Sequence, residues 1–413
     1  MNPCTTLRSQ RQSDALALPA ISMASTGSLS RTAPAPAGPD PYKLVVRDLE
    51  HIKSSIKKVL SDNKSGSGAI SSNEVLTMAA REFMQRKGKS FRPMVVLLVG
   101  RATDPDFSIN ARHYKLSVIA EMIHTASLIH ADVLEEDAFD DLPAAAGAET
   151  LPPYKQQGTV VHQEVDLDVG NKVCILAGDF LLAKAAVELS LLDCSEVTEI
   201  IARGLESICE GGMLAHDTPA YNVAENIEKA SATNDADAAD ADGAPLTLGG
   251  HLHILSQGTA QLIGNSCQCS AILSGHEADS AVASACLAFG EGLAMAQELI
   301  AEAQAMEAIL KKCRRAPKNW PRHLAPSTPL LVASDNFPER MAPLVRRHFS
   351  KAPADGAVAI ACLDESDAVE RTRALATEYA QDAADALMVL PVSATRDALL
   401  VLCHKILSGA PIK

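Results

Sequence analysis

The stretch that decides the fold is Ala120–Asp141, AEMIHTASLIHADVLEEDAFDD. Its first two turns are apolar, with His124 and His130 set among them, and the remainder carries Asp132, Glu135, Glu136, Asp137, Asp140 and Asp141. A helix brings residues three and four apart onto one face, so Asp132, Glu135 and Glu136 project together at its C-terminal end. Carboxylates there oppose the helix macrodipole. Acids held where they cost stability have a bound cation, a catalytic duty, or an ancestor that had one.

On the N-terminal side, amphipathic patterning predicts helices over Tyr42 to Leu60 and Ser71 to Gln85, the second introduced by Ser72 and Asn73 as caps. Next comes GKSFRP, Gly88 to Pro93, leading into MVVLLVG. Lys89 and Arg92 are thereby set at a helix N-terminus, an arrangement that suits a phosphate. The plain alternative is a solvated basic loop. On the C-terminal side, Gly170 to Leu192 is apolar almost all round, which predicts a central place in a bundle, with Asp179 satisfying a neighbouring helix end.

A further helix is expected over Ser195 to Leu214. From about 216 to 250 the pattern breaks, and the acidic stretch NDADAADADGAPLTLGG reads as a flexible loop, too polar to bury itself. Helical patterning resumes at His251 to Ser274 and Ala281 to Leu310. A proline-bearing connection, Arg314 to Pro329, precedes C-terminal helices around Met341 to Phe349, Ala357 to Cys362, Ala368 to Met388 and Thr395 to Leu407. No strand run or fixed-period repeat interrupts this, so the fold class is all-α.

At 413 residues the chain is long enough for one large helical domain or two ordinary ones. A net charge of −14 with no basic stripe argues against a nucleic-acid partner. Ten cysteines occur without CxxC pairs; Cys267 and Cys269 form a CxC whose side chains leave a helix on nearly opposite faces, which suits free apolar thiols better than a metal. Residues 1–41 hold Arg8, Arg11 and Arg31 against only Asp14 and Asp40, among many Ser, Thr, Ala and Pro. That composition fits an organellar transit peptide, mitochondrial or alternatively plastid, and lacks a secretory apolar core. The alternative is an untargeted disordered tail. No apolar run is long and uncharged enough to span a bilayer, so no transmembrane segment is expected.

The segments GKSFRP, AEMIHTASLIHADVLEE, GNKVCILAGDFLLA, GNSCQCSAILSG, FGEGLAMAQELIAEA, FPERMAPLVRRHFS and ATRDALLVLCHKIL together resemble the trans-polyprenyl diphosphate synthases, particularly the long-chain solanesyl and decaprenyl type. They fall in family order and cover roughly Tyr42 to Gly409. The resemblance implies an isoprenoid synthase-type bundle of mostly antiparallel helices around a deep cavity, commonly dimeric. It also implies elongation of an allylic diphosphate by isopentenyl diphosphate, with magnesium clamping the leaving diphosphate between two DDxxD motifs on facing helices.

Against that pattern this sequence departs at the residues that carry charge. The first motif aligns with Ala131, Asp132, Val133, Leu134 and Glu135, and the second with Ala301, Glu302, Ala303, Gln304 and Ala305. Of the four ligand positions the resemblance assigns to the ions, Glu135 alone keeps a side-chain oxygen. The family's Arg-Arg-Gly falls on Asp140, Asp141 and Leu142, and its diphosphate-binding lysine on Gly258, beside Thr259. Lys89, Arg92 and His124 match three of the isopentenyl diphosphate contacts that the resemblance implies, a remnant diphosphate site; the alternative reading is that Lys89 and Arg92 only pair with nearby acids and that His124 is an ordinary buried histidine. Ala126, small where a bulky residue closes the product tunnel, is the legacy of a long-chain enzyme or plain helix packing.

These features predict a residue 42–413 polyprenyl synthase-like domain with a flexible insert at about 216–250, preceded by a disordered segment over 1–41. The expected function is that of a non-catalytic subunit, forming a homo- or heterodimer with a polyprenyl synthase homologue in quinone side-chain synthesis. One alternative is a structural subunit of a larger organellar complex, such as a mitochondrial respiratory one. Another is an active prenyltransferase using Asp132, Glu135, Glu136 and Glu302 as substitute ligands. No cofactor is expected, magnesium entering only if activity is retained; an isoprenoid diphosphate is the candidate ligand.

Overall fold

Every regular element among the described residues is helical, as the unbroken three-to-four spacing of apolar side chains requires. The computed structural model describes residues 36–61, 74–86, 90–131, 163–217, 246–316, 320–321, 324–346, 349 and 354–409. Helix α1 (Pro41–Ser61) buries Val45, Leu49 and Ile52 and turns its lysines outward. Just ahead of it, Asp40 pairs with Lys405, and a Cβ on Gly38 would lie 2.9 Å from the Asp397 carbonyl oxygen. The folded unit therefore begins a few residues before Tyr42, inside the segment expected to be disordered.

Helices α2 (Glu74–Arg86), α3 (Phe91–Thr103) and α4 (Ala111–Ala131) come next. In α3, Met94 to Gly100 are all buried, so this short helix runs through the core. Pro93 lies in its first turn, where a missing N–H leaves no helical bond unmade. Helix α4 starts where Asn110 Oδ1 accepts from the N–H groups of Arg112 (2.9 Å) and His113 (3.1 Å). It ends at Ala131, so the acidic half of the opening stretch, Asp132 to Asp141, lies outside the described residues.

Helix α5 (Gln163–Ser190) packs through Cys174, Ala177, Leu181, Ala185 and Leu189, against α4 and α2. Its other face is open: Ile175, Leu176 and Val187 are 44%, 52% and 55% exposed. The expectation of a helix enclosed all round is thus corrected. One stripe suffices for the packing, and the apolar residues opposite it remain uncovered. The expected break after α6 (Ser195–Asp217) lies outside the described residues up to 245.

A continuous helical run then comprises α7 (Leu248–Leu255), a π-helical turn over Ser256–Ala260, and α8 (Gln261–Leu273). Helix α9 (Ala281–Cys313) is capped by Ser280 Oγ, which accepts from the Ala283 N–H. It crosses α8 backbone to backbone: a Cβ on Gly290 would stand 2.7 Å from the Gly264 Cα and 2.8 Å from the Ile263 carbonyl oxygen. Four further helices were expected after it, but five form: α10 (Thr328–Asn336), α11 (Pro338–Arg346), α12 (Ala354–Glu365), α13 (Ala368–Ala386) and α14 (Ala394–Leu407). The additional one, α10, takes Pro329 at its first turn, a residue that read as part of a connection.

Two apolar clusters result. The larger joins α1 to α9 with α13 and α14; the smaller gathers Met306, Leu310, Trp320, Leu330, Met341 and Phe349 around the C-terminal half of α9. Helix α9 belongs to both, so whatever its middle turns carry lies at the junction. No helix among the described residues is long and apolar enough to cross a membrane.

Candidate functional site

Helix α9 carries the second motif segment, α4 ends on the first residue of the first, and α3 carries Arg92 in its opening turn. The Nε of Arg92 is buried and has no hydrogen-bond partner among the described residues. Burial lowers the proton affinity of this guanidinium, while the charges of Glu121 on α4 and Glu298 on α9 raise it; burial prevails. An arginine remains a cation even so. Burial lifts the Glu121 carboxyl above its ordinary range against the pull of Arg92, and Glu121 Oε2 is another buried atom without a partner among the described residues. Glu298 is also lifted by burial, with Arg92 and Thr259 pulling it down and Glu302 pushing it up.

One cation therefore faces two carboxylates. Neither acid was singled out from the sequence, though both were accessible by spacing: Glu121 stands one turn before His124, and Glu298 one turn before Glu302.

Glu302, the side-chain oxygen-bearing acid of the second motif, is committed within the protein. His251 Nε2 donates to its Oε1 at 2.9 Å, and the Thr328 N–H donates to its Oε2 at 2.9 Å. Burial by itself would raise this carboxyl, but the His251 and Thr328 contacts outweigh it and hold Glu302 below its ordinary value. His251 is only 2% exposed, so the contact is an interior one joining α7, α9 and the start of α10. Ala301 and Ala305, the flanking ligand positions, are exposed methyl groups.

Magnesium takes several hard oxygens in near-octahedral order. The second motif offers one carboxylate, already bonded at both oxygens. Among the described residues no group of three or more His, Cys, Asp or Glu side chains is placed to hold a metal. The residues described at this motif do not fit the ion. Asp132, Glu135 and Glu136 lie outside the described residues, as do Lys89, Asp140, Asp141 and Leu142.

Other expected positions fall within the described residues. His124 is half-buried on α4. His130, the penultimate residue of α4, has its Nε2 3.4 Å from Asp179 Oδ1 and 3.2 Å from the Ile175 carbonyl oxygen. Asp179 therefore meets a side chain near that helix end rather than the end's backbone. Ala126 is fully buried within the larger apolar cluster. Gly258 lies in the π-helical turn, and a Cβ there would meet nothing within 4 Å. Such turns recur at functional sites, and this one has room for the side chain it lacks.

Cys267 and Cys269 are both buried and free, and burial pushes both thiols up, which leaves them unreactive. A groove of 540 Å³ lies farther along α9, lined by Gln304, Glu307, Lys311 and Arg314 against Asp364 and Glu370. Its Arg314 is engaged locally, pairing with Asp364 at 2.5 Å. The groove is apart from the Arg92 cluster and has none of the residues expected to contact diphosphate.

A sequence model described as polyprenyl synthetase matches residues 73–140 and 156–300. The chain belongs to the polyprenyl synthetase family. Among its relatives, the decaprenyl-diphosphate synthase of Dictyostelium discoideum is 29% identical over 373 residues, covering 89% of this chain and 71% of that one. The probable mitochondrial hexaprenyl pyrophosphate synthase of Neurospora crassa is 30% identical over 412 residues, covering 89% and 81%. These matches make it a member of the long-chain trans-polyprenyl diphosphate synthase group. The crystal structure of a decaprenyl diphosphate synthase from Rhodobacter capsulatus superposes with a TM-score of 0.64 at 19% identity, covering 90% of this chain and 98% of that one. The fold is the isoprenoid synthase bundle.

Proposed function

We propose that this chain is a non-catalytic subunit of a heteromeric long-chain prenyl diphosphate synthase, serving synthesis of a quinone side chain. The observation that carries this reading is Glu302. The second motif retains a single acid, and both oxygens of that acid are consumed by His251 and Thr328. A leaving diphosphate develops charge that must be neutralised as it departs, and the one carboxylate of the second motif has neither oxygen free to hold a cation for it.

The open face of α5 supports the other half of the reading. Ile175, Leu176 and Val187 there, and Met213 and Leu214 on α6, are exposed large apolar side chains, of the kind that mark a surface awaiting a partner. An active homologue is the partner we assign to it. The domain runs from the segment packed ahead of α1 to the end of α14. The Arg-bearing, acid-poor N-terminal composition and the mitochondrial label of the Neurospora relative support a mitochondrial location.

The purified chain, given farnesyl or geranylgeranyl diphosphate with isopentenyl diphosphate and magnesium, is expected to show no turnover. Affinity isolation from the native organelle is expected to bring down a catalytically competent polyprenyl synthase. Turnover at an ordinary enzymatic rate by the chain alone would overturn the reading.

A further inference from the structure

We propose that the outer face of α1 is a docking surface for an anionic lipid membrane, on which the bundle rests without inserting. The inference draws on this chain's own side chains and on the group it belongs to, and holds whether or not the chain is catalytic.

Folding builds a basic stripe that the linear sequence does not display. Residues 36–61 contain five cations, Lys43, Arg47, Lys53, Lys57 and Lys58, and three acids, Asp40, Asp48 and Glu50. Two of the acids are taken up by other helices. Asp40 pairs with Lys405 of α14. Asp48 accepts from the Tyr114 hydroxyl of α4 at 2.6 Å and from Arg101 of α3 at 3.2 Å, so both its oxygens are engaged. All five cations stay exposed, and Glu50 is the one exposed acid of the helix.

Helical geometry then aligns what is left. At about 100° per residue, Lys43, Arg47, Ser54 and Lys58 fall within about 60° of one another, on the side opposite the buried Val45, Leu49 and Ile52. Lys43 to Lys58 covers about 22 Å of helix axis, and Lys53 lies on the flank of that line.

The chemistry of the stripe selects its occupant. Cations spaced along a rigid rod match a flat array of negative charge, and each one held near an anionic lipid surface raises affinity about fivefold. No large apolar side chain of α1 is among the exposed ones, so the helix has nothing to bury between acyl chains and lies on the headgroups. Single-stranded nucleic acid would find no stacking platform: Tyr42 is half-buried, and the His51 ring sits edge-on to Tyr114 with centroids 5.0 Å apart. Long prenyl diphosphates, for which this chain's group is named, carry a tail too apolar for water and therefore reside in lipid. The chain as a whole carries −14, so an anionic surface repels the rest of it and admits this face, which fixes the orientation of docking.

The test is flotation of the full chain with vesicles of phosphatidylcholine alone and of phosphatidylcholine mixed with phosphatidylglycerol. Residues 1–35 are common to every form compared, so a difference between forms reports on α1. The parent is expected to float with the anionic vesicles and not with the neutral ones. Release is expected at about 1 M salt, where the screening length is about 3 Å. Lys43→Gln combined with Arg47→Gln, Lys53→Gln and Lys58→Gln is expected to weaken binding at least tenfold, and Glu50→Lys to strengthen it severalfold.

Equal binding by the parent and the quadruple variant, or a parent that ignores anionic vesicles at low salt, overturns the proposal. So does a parent that binds polyuridylate more tightly than the vesicles. If the quadruple variant does not fold, Glu50→Lys decides, and binding no tighter than that of the parent overturns the proposal. Flotation is read on the chain alone, without substrate or partner, so this inference and the subunit reading fail separately.

Discussion

His251 Nε2 meets Glu302 Oε1 at 2.9 Å in the interior, so α7 and α9 are joined through the acid that the second motif retains. Glu302→Ala leaves a buried imidazole N–H and the Thr328 N–H without an acceptor. We expect it to cost about 2–4 kcal/mol, since breaking a buried pair strands the partner. Glu302→Gln keeps a carbonyl oxygen for one donor and should cost about 1–2 kcal/mol. Urea melts of the three forms check this, and equal midpoints would show the contact to be incidental.

Two glycines predict opposite signs. At Gly290 a methyl would press into the Gly264 backbone, so Gly290→Ala should destabilise by about 1–3 kcal/mol. At Gly258 the space is open, and replacing a helical glycine there with Ala should stabilise by about 0.5–1 kcal/mol. Thermal unfolding of the pair separates them, and a loss at Gly258→Ala would show that this position is not sterically permissive.

The buried acids give a pH signature. Glu121 and Glu298 have folded-state proton affinities above the ordinary 4.5, so they favour the folded state while protonated and that contribution is lost as pH rises through their folded values. Glu302 is shifted the other way, and its contribution, present above 4.5, is lost as pH falls below it. Arg92 stays charged throughout, and Thr259, Thr328 and His251 are the other groups facing these acids. From pH 8 down to pH 5 the melting temperature of the parent should therefore rise relative to that of Glu121→Gln with Glu298→Gln. A constant difference between the two curves would show that neither acid titrates differently in the fold.

Much of this fold could be read directly. The three-to-four spacing that buries Val45, Leu49 and Ile52 announces α1, and the same argument recovers α9, which carries the second motif, and α4 up to Ala131. It fails where local pattern is silent about neighbours. The nearly continuous apolar character of α5 does not say that one face will stay open, because burial is decided by which helices arrive, not by the helix itself. Helix α10 was obscured by Pro329, which marks a break as readily as a first turn.

The site was legible in part for the same reason. A motif alignment locates Glu302 and shows what surrounds it to be alanine. It cannot reveal that His251, fifty-one residues earlier, would take the oxygen. Nor does it show that the charge of Glu298, far off in the chain, would reach the buried Arg92.

Where the folded unit starts also has a measurable consequence. Asp40 pairs with Lys405 on α14, the two side chains being 24% and 25% exposed, and Gly38 lies against the Asp397 carbonyl with too little room for a side chain. A part-exposed ion pair contributes about 1 kcal/mol or less. Asp40→Asn and Lys405→Met should therefore each lower stability by about 0.5–1 kcal/mol, with the double variant no worse than either alone. Burial would raise the Asp40 carboxyl, but Lys405 and the N–H groups at the start of α1 hold it below its ordinary 3.8, so the pair persists at neutral pH and fails only as pH falls below that value. Relative to a chain beginning at Pro36, deleting through Asp40 should reproduce the loss seen with Asp40→Asn. An unchanged melting temperature on deleting through Asp40 would show the junction with α14 to be dispensable.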